Sequence, residues 1–126
     1  MEIIILSSYE FHLKSEQIKK ELVGRGYDNV LIFDDTPVVI DYLKHVNDSV
    51  LLIYDYELLS LGSRCFINKA RAVIPSVQII ILTNNPLLIN PLLYKYPVVN
   101  KKGSGLVEKL SYHVDQVNSI LQNSCP

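Results

Sequence analysis

Apolar residues follow two rhythms along this chain. At residues 3–6, 30–33, 50–54, 77–82 and 98–99 they run almost without interruption and are mainly Ile, Val and Leu, the pattern of strands buried on both faces. Between these runs the spacing becomes helical. Phe11, Ser15, Ile18 and Leu22 share one face of a predicted helix, with Lys14, Lys19, Lys20 and Glu21 off it and Gly24 and Gly26 as its stop. Thr36 before Pro37 reads as a cap and first helical residue, and Val39, Tyr42, Leu43 and Val46 repeat behind them as far as Asn47 and Asp48. A weaker helical pattern covers 58–74 through Leu61, Cys65, Ala72 and Val73, interrupted by Gly62 and closed by Pro75. Leu106, Leu110, Val114, Val117 and Leu121 form a clean stripe that predicts a last helix after Gly103, Ser104 and Gly105.

Strands buried on both faces and alternating with helices predict a single doubly wound α/β domain. Its five-stranded parallel sheet takes the flavodoxin-like order 2-1-3-4-5, with helices on both faces. The fourth connection departs from the pattern. Residues 83–96 contain Pro86 and Pro91, and a proline inside a helix removes a hydrogen bond and crowds the preceding turn. A shortened fourth helix, about one turn on each side of the break, is therefore expected. The domain is expected to span 1–121, with 122–126 a flexible tail or the start of a linker.

Composition narrows the function classes. The 126 residues are enough for one core, and 48% hydrophobic with 20% charged residues is the balance of a packed domain. Twelve Lys and Arg against thirteen Asp and Glu leave a net charge of -1, without the positive excess that holds a chain on DNA or an anionic membrane. No apolar run approaches the roughly 20 residues that cross a bilayer. No basic leader precedes the first run, so a cytoplasmic location is expected. Cys65 and Cys125 have neither C-x-x-C nor Cys/His ligand spacing, against a zinc site or a disulfide scaffold. The chain has no G-x-G-x-x-G, G-x-S-x-G, H-E-x-x-H or Walker pattern, and 7–11 lacks the glycine of a flavin phosphate loop. Neither a cofactor nor an enzymatic activity is expected.

In such a sheet the chemistry gathers at the carboxyl ends of the strands. The residues there are Ser7 and Ser8, Asp34 and Asp35, Asp55, Thr83 and Asn84, and Lys101 and Lys102. In this order and placement the sequence resembles a response-regulator receiver domain of the CheY-like fold over 2–121. The stretch VVNKKGS at 98–104 is most similar to the receivers of LuxR-type helix-turn-helix transcription regulators. The resemblance implies that Asp55 holds the phosphoacceptor position, that Thr83 senses a phosphoryl group and that Lys101 contacts it. It also implies an acidic pair after the first strand, binding magnesium together with the acceptor, and there this chain has Ser7 and Ser8. Magnesium requires carboxylate oxygens, so no metal is expected and phosphoryl transfer is expected to be slow or absent. Asp34 and Asp35 stand just before a helix start, where Asp caps. They read as caps or solvated residues rather than as relocated ligands. Asp55 and Lys101 are expected to approach each other in the resting fold.

A second feature is apolar surplus. Leu87, Leu88, Ile89, Leu92, Leu93, Tyr94 and Tyr96 crowd a segment broken by two prolines, and part of this set is expected to be exposed beside Tyr112 of the last helix. Local packing that fills the place of a shortened helix accounts for it equally well. The resemblance makes this edge a dimer or partner surface. The expected function is an atypical, phosphorylation-independent receiver of a transcription regulator, acting through a homodimer or a related regulator subunit. It would reach DNA only through a domain absent from this chain and would have no contact with membranes. A phosphorylatable two-component receiver using Asp55 and a stand-alone interaction adaptor are the alternatives.

Overall fold

Side-chain alternation along the sheet divides the core in two. Ile3, Ile5, Leu51, Ile53, Ile80 and Leu82 feed one cluster, and Ile4, Leu6, Leu52, Tyr54, Ile79 and Ile81 feed the other. Successive residues of a strand point to opposite faces, so a strand serving both clusters must be apolar at every position. The computed structural model describes residues 1–58, 63–89, 91–93 and 95–123. Its elements in chain order are β1 (Glu2–Leu6), α1 (His12–Gly24), β2 (Val30–Phe33), α2 (Thr36–Leu43), β3 (Val50–Asp55), α3 (Ser63–Val73), β4 (Gln78–Thr83), β5 (Val98–Asn100) and α4 (Leu106–Asn123). The strands pair in parallel in the order β2-β1-β3-β4-β5, the flavodoxin-like α/β arrangement that the apolar pattern predicts.

Ile18 and Leu22 of α1 and Leu106, Leu110 and Val114 of α4 close the first cluster. Val39 and Leu43 of α2 and Phe66, Ile67 and Ala70 of α3 close the second. Three local features differ from the sequence reading. The cap of α2 is Asp35 rather than Thr36: its backbone is extended and its carboxylate accepts the Val38 N–H at 3.4 Å, so Pro37 lies within the first turn. The helix predicted over 58–74 begins only at Ser63; Tyr56–Leu58 form a separate 3-10 turn, and Leu61 and Gly62 lie outside the described residues. The fourth connection contains no α-helix among its described residues, only the 3-10 turns Pro86–Leu88 and Pro91–Leu93. Proline opens each turn, where its missing N–H would have had no partner.

Two glycines set helix ends. Gly26, with φ of +98°, lets the chain turn off α1 while Gly26 and Tyr27 donate their N–H groups back to Val23 and Leu22. Gly105, with φ of +79°, stands immediately before α4. The last helix continues through Gln122 and Asn123, which the sequence reading assigns to a tail, and 124–126 with Cys125 lie outside the described residues. Among the described residues no helix is long and apolar enough to cross a membrane.

Candidate functional site

The parallel register brings four strand exits to one edge. Leu6 pairs with Tyr54, Asp55 with Leu82, and Thr83 with Asn100. Asp55 therefore ends the central strand with the exits of β1 and β4 on either side, and its side chain is wholly buried. Each carboxylate oxygen is occupied. Oδ1 accepts from the Lys101 ammonium at 2.5 Å and from the Glu57 backbone N–H at 3.1 Å, and Oδ2 accepts from the Ser8 hydroxyl at 3.3 Å.

Lys101 is placed by the sheet itself. Its backbone N–H donates to the Thr83 carbonyl at 2.8 Å, extending the β4–β5 ladder one residue past β5. Its side chain, only 7% exposed, then runs inward, with the ammonium 5.4 Å from the centroid of the Phe11 ring. A cation over an aromatic face gains from the ring quadrupole, so Phe11 forms a roof over the pair. Lys102, by contrast, is exposed, and its N–H donates to the Asn100 side chain at 2.9 Å.

Ser7 and Ser8 part company. Ser8 reaches Asp55, whereas Ser7 is buried beneath α1 and its hydroxyl accepts from Ser15 at 2.8 Å. Only Ser8 of the two belongs to the carboxylate's surroundings. Asp34 is exposed on the rim of a shallow cleft that Ser7 and Ser8 also line, and Asp35 is spent on capping α2.

Sequence reasoning missed Glu57. The N–H it gives to Asp55, two residues earlier, makes a turn of the kind Asp side chains favour at strand exits. That turn folds the Glu57 side chain back across the strand ends. Oε2 accepts from the Thr83 hydroxyl at 3.0 Å, Oε1 accepts from the Asn84 N–H, and the Lys101 ammonium lies 3.3 Å from Oε1. The available signal was an acid two positions after the strand-ending Asp. Thr83, buried to 1% exposure, also accepts from the Asn85 N–H at 3.2 Å.

The magnesium site implied by the sequence resemblance does not fit these residues. Magnesium needs carboxylate oxygens free to bind it, and here the Asp55 and Glu57 carboxylates share the Lys101 ammonium, with Asp55 also accepting from a hydroxyl and an amide. Among the described residues, no three His, Cys, Asp or Glu groups are placed to hold a metal.

The apolar segment before β5 divides between surface and core. Leu87, Leu88 and, on α4, Tyr112 are exposed, but Leu93 is buried in the cluster beneath α2 and α3, with Ile89 also buried. Tyr96 is half-buried between Arg71 and Lys95, which approach its ring centroid to 5.2 and 5.3 Å. The expected surface set thus loses Leu93, because the second 3-10 turn directs it inward, while the Leu92 side chain and Tyr94 lie outside the described residues. Pro86, Val98, Lys109 and Tyr112 line one cleft of about 490 Å³ between β5 and α4. The chain matches no family model, no curated protein and no solved structure.

Proposed function

We propose that this chain is a receiver-like signalling domain that works without phosphorylation, by pairing with a second copy of itself or with a related subunit of a transcription regulator. DNA contact belongs, in this reading, to residues outside this chain. The observation that carries the reading is the buried Asp55–Lys101 pair at 2.5 Å. A carboxylate whose oxygens are already taken by an ammonium, an amide and a hydroxyl has no free oxygen to attack a phosphoryl group.

The docking half of the proposal is supported by the edge formed by the Pro86–Leu88 turn, β5 and α4. Leu87 is 87% exposed and Leu88 74%, and Tyr112 and Ile120 stand outward on α4 with Gln116 between them. Gln116 donates to the Tyr112 hydroxyl at 2.7 Å, which fixes the ring on that face. Exposed Lys95 and Lys102 belong to the rim, where charge tunes encounter more than affinity. Cytoplasmic residence is part of the same proposal, since Cys65 is an exposed free thiol of the kind a reducing compartment keeps.

Sedimentation across a concentration series, with and without acetyl phosphate, combined with intact-mass spectrometry, tests the reading. The expected result is concentration-dependent association that the phosphodonor does not change, with no phosphoryl mass gain. A monomer at every concentration overturns self-association and leaves only the related subunit as partner. A phosphoryl adduct that disappears in Asp55→Ala overturns phosphorylation independence.

A further inference from the structure

Glu57 closes a ring of donors drawn from separate elements. Thr83 at the end of β4 gives its hydroxyl at 3.0 Å, Asn84 gives its backbone N–H, and Lys101 beyond β5 brings its ammonium to 3.3 Å. A hydroxyl, an amide N–H and a cation converging on one carboxylate make an oxyanion cradle, and here the anion inside it is the protein's own. Its backbone is held as well, through the N–H donated to Asp55. The Glu57 side chain is nevertheless 37% exposed, unlike Asp55 beneath it. It can therefore leave the cradle for water without opening the core.

We infer that Glu57 is an autoinhibitory latch: it holds Thr83, Asn84 and Lys101 in an anion-bound arrangement and bars free oxyanions from those donors. A tethered carboxylate competes at an effective concentration in the mM range or above, so an anion arriving from solution displaces it only with difficulty. The inference rests on the proposed reading of the pocket as one that needs no phosphorylation, and it supplies a physical cause for that independence. Glu57 thereby belongs with Lys101 among the groups that set the pocket's state.

Backbone amide NMR of wild type, Glu57→Ala and Glu57→Gln, titrated with inorganic phosphate against chloride at equal ionic strength, tests the latch. Asn84 is the natural probe, because its N–H donates to Glu57. Wild type should show no saturable phosphate shift at Asn84 or Lys101, and Glu57→Ala should bind phosphate at least roughly tenfold more tightly. Glu57→Gln, which keeps an acceptor but loses the charge facing Lys101, should fall between them. Equal binding by wild type and Glu57→Ala, no gain in either variant, or shifts reproduced by chloride each overturn the proposal. Should Glu57→Ala fail to fold, Glu57→Gln decides by the same comparison with wild type. This titration does not depend on association, so a chain that never dimerises defeats self-association while leaving the latch result standing.

Discussion

The Lys101 ammonium lies 2.5 Å from Oδ1 of Asp55, with the lysine side chain 7% exposed and the aspartate wholly buried. Withdrawing two charges from water costs several kcal/mol per ion, on the order of what their attraction returns, and the balance is favourable only when the remaining valences are satisfied. Here Ser8 and the Glu57 N–H complete the carboxylate, while Glu57 and Phe11 complete the ammonium. The pair is thus one part of a network, and its members are not independent.

Lys101→Met should therefore cost about 3–5 kcal/mol, the usual consequence of leaving one buried charge without its partner. Asp55→Asn combined with Lys101→Met should cost less than Lys101→Met alone, because the stranded carboxylate is gone. Urea unfolding of the two variants and wild type gives the comparison. A loss below about 1 kcal/mol in the single variant would place the pair with ordinary surface ion pairs instead.

The strands were legible because an all-parallel sheet makes both faces apolar, and the site's edge followed from the strand order. The approach of Lys101 to Asp55 was legible too, since their strands end on that edge. Glu57 was not, because its position depends on a turn closed by a side-chain acceptor two residues back, which apolar periodicity does not register. Leu93 escaped for a related reason: consecutive leucines in a 3-10 turn carry no pattern that says which one faces the core. Ser15 was visible on the apolar face of α1, but its partner was not.

That partner is Ser7. Ser15 donates to the Ser7 hydroxyl at 2.8 Å, and both residues are nearly inaccessible. Ser15→Ala should cost about 1–3 kcal/mol, since it leaves a buried hydroxyl without this bond. Ser7→Ala together with Ser15→Ala should lie closer to wild type, both polar groups having been removed. Denaturant unfolding of the single and double variants is the measurement, and additive losses would show that the two hydroxyls do not act as a pair.

Tyr27 ties the turn after α1 to α4. Its hydroxyl donates to Asp115 Oδ1 at 2.5 Å, while the Arg25 guanidinium holds Oδ2 at 3.1 Å. Burial, reinforced by the Asp115 carboxylate, pushes the phenol from 10.0 up to about 12. A folded pKa above the unfolded one means that the neutral phenol's stabilising contribution is complete below pH 10.0 and is lost as pH rises towards about 12. Stability in that window should fall less steeply in Tyr27→Phe than in wild type, and the variant should lack one late-titrating phenol by phenolate absorbance. An unchanged slope would remove Tyr27 as the source.

The short turns before β5 set two kinds of leucine side by side. Leu88 is 74% exposed and Leu93 only 3%, although both belong to Pro-Leu-Leu turns. Leu93→Ala should cost about 2–5 kcal/mol in stability by emptying part of the core, whereas Leu88→Ala should stay within about 0.5 kcal/mol of wild type. Association should respond in the opposite order. Burying an exposed leucine contributes roughly 1.5–3 kcal/mol, so two or three such side chains per subunit, Leu87, Leu88 and Tyr112 among them, can offset the entropic cost of pairing. Leu88→Asp should then shift the monomer–dimer midpoint to higher concentration without lowering the unfolding midpoint, and Lys102→Glu should alter mainly the salt dependence of encounter. Sedimentation and urea unfolding on the same samples separate these effects. Leu88→Asp sedimenting like wild type would exclude this edge from self-association, and an undiminished stability of Leu93→Ala would contradict its place in the core.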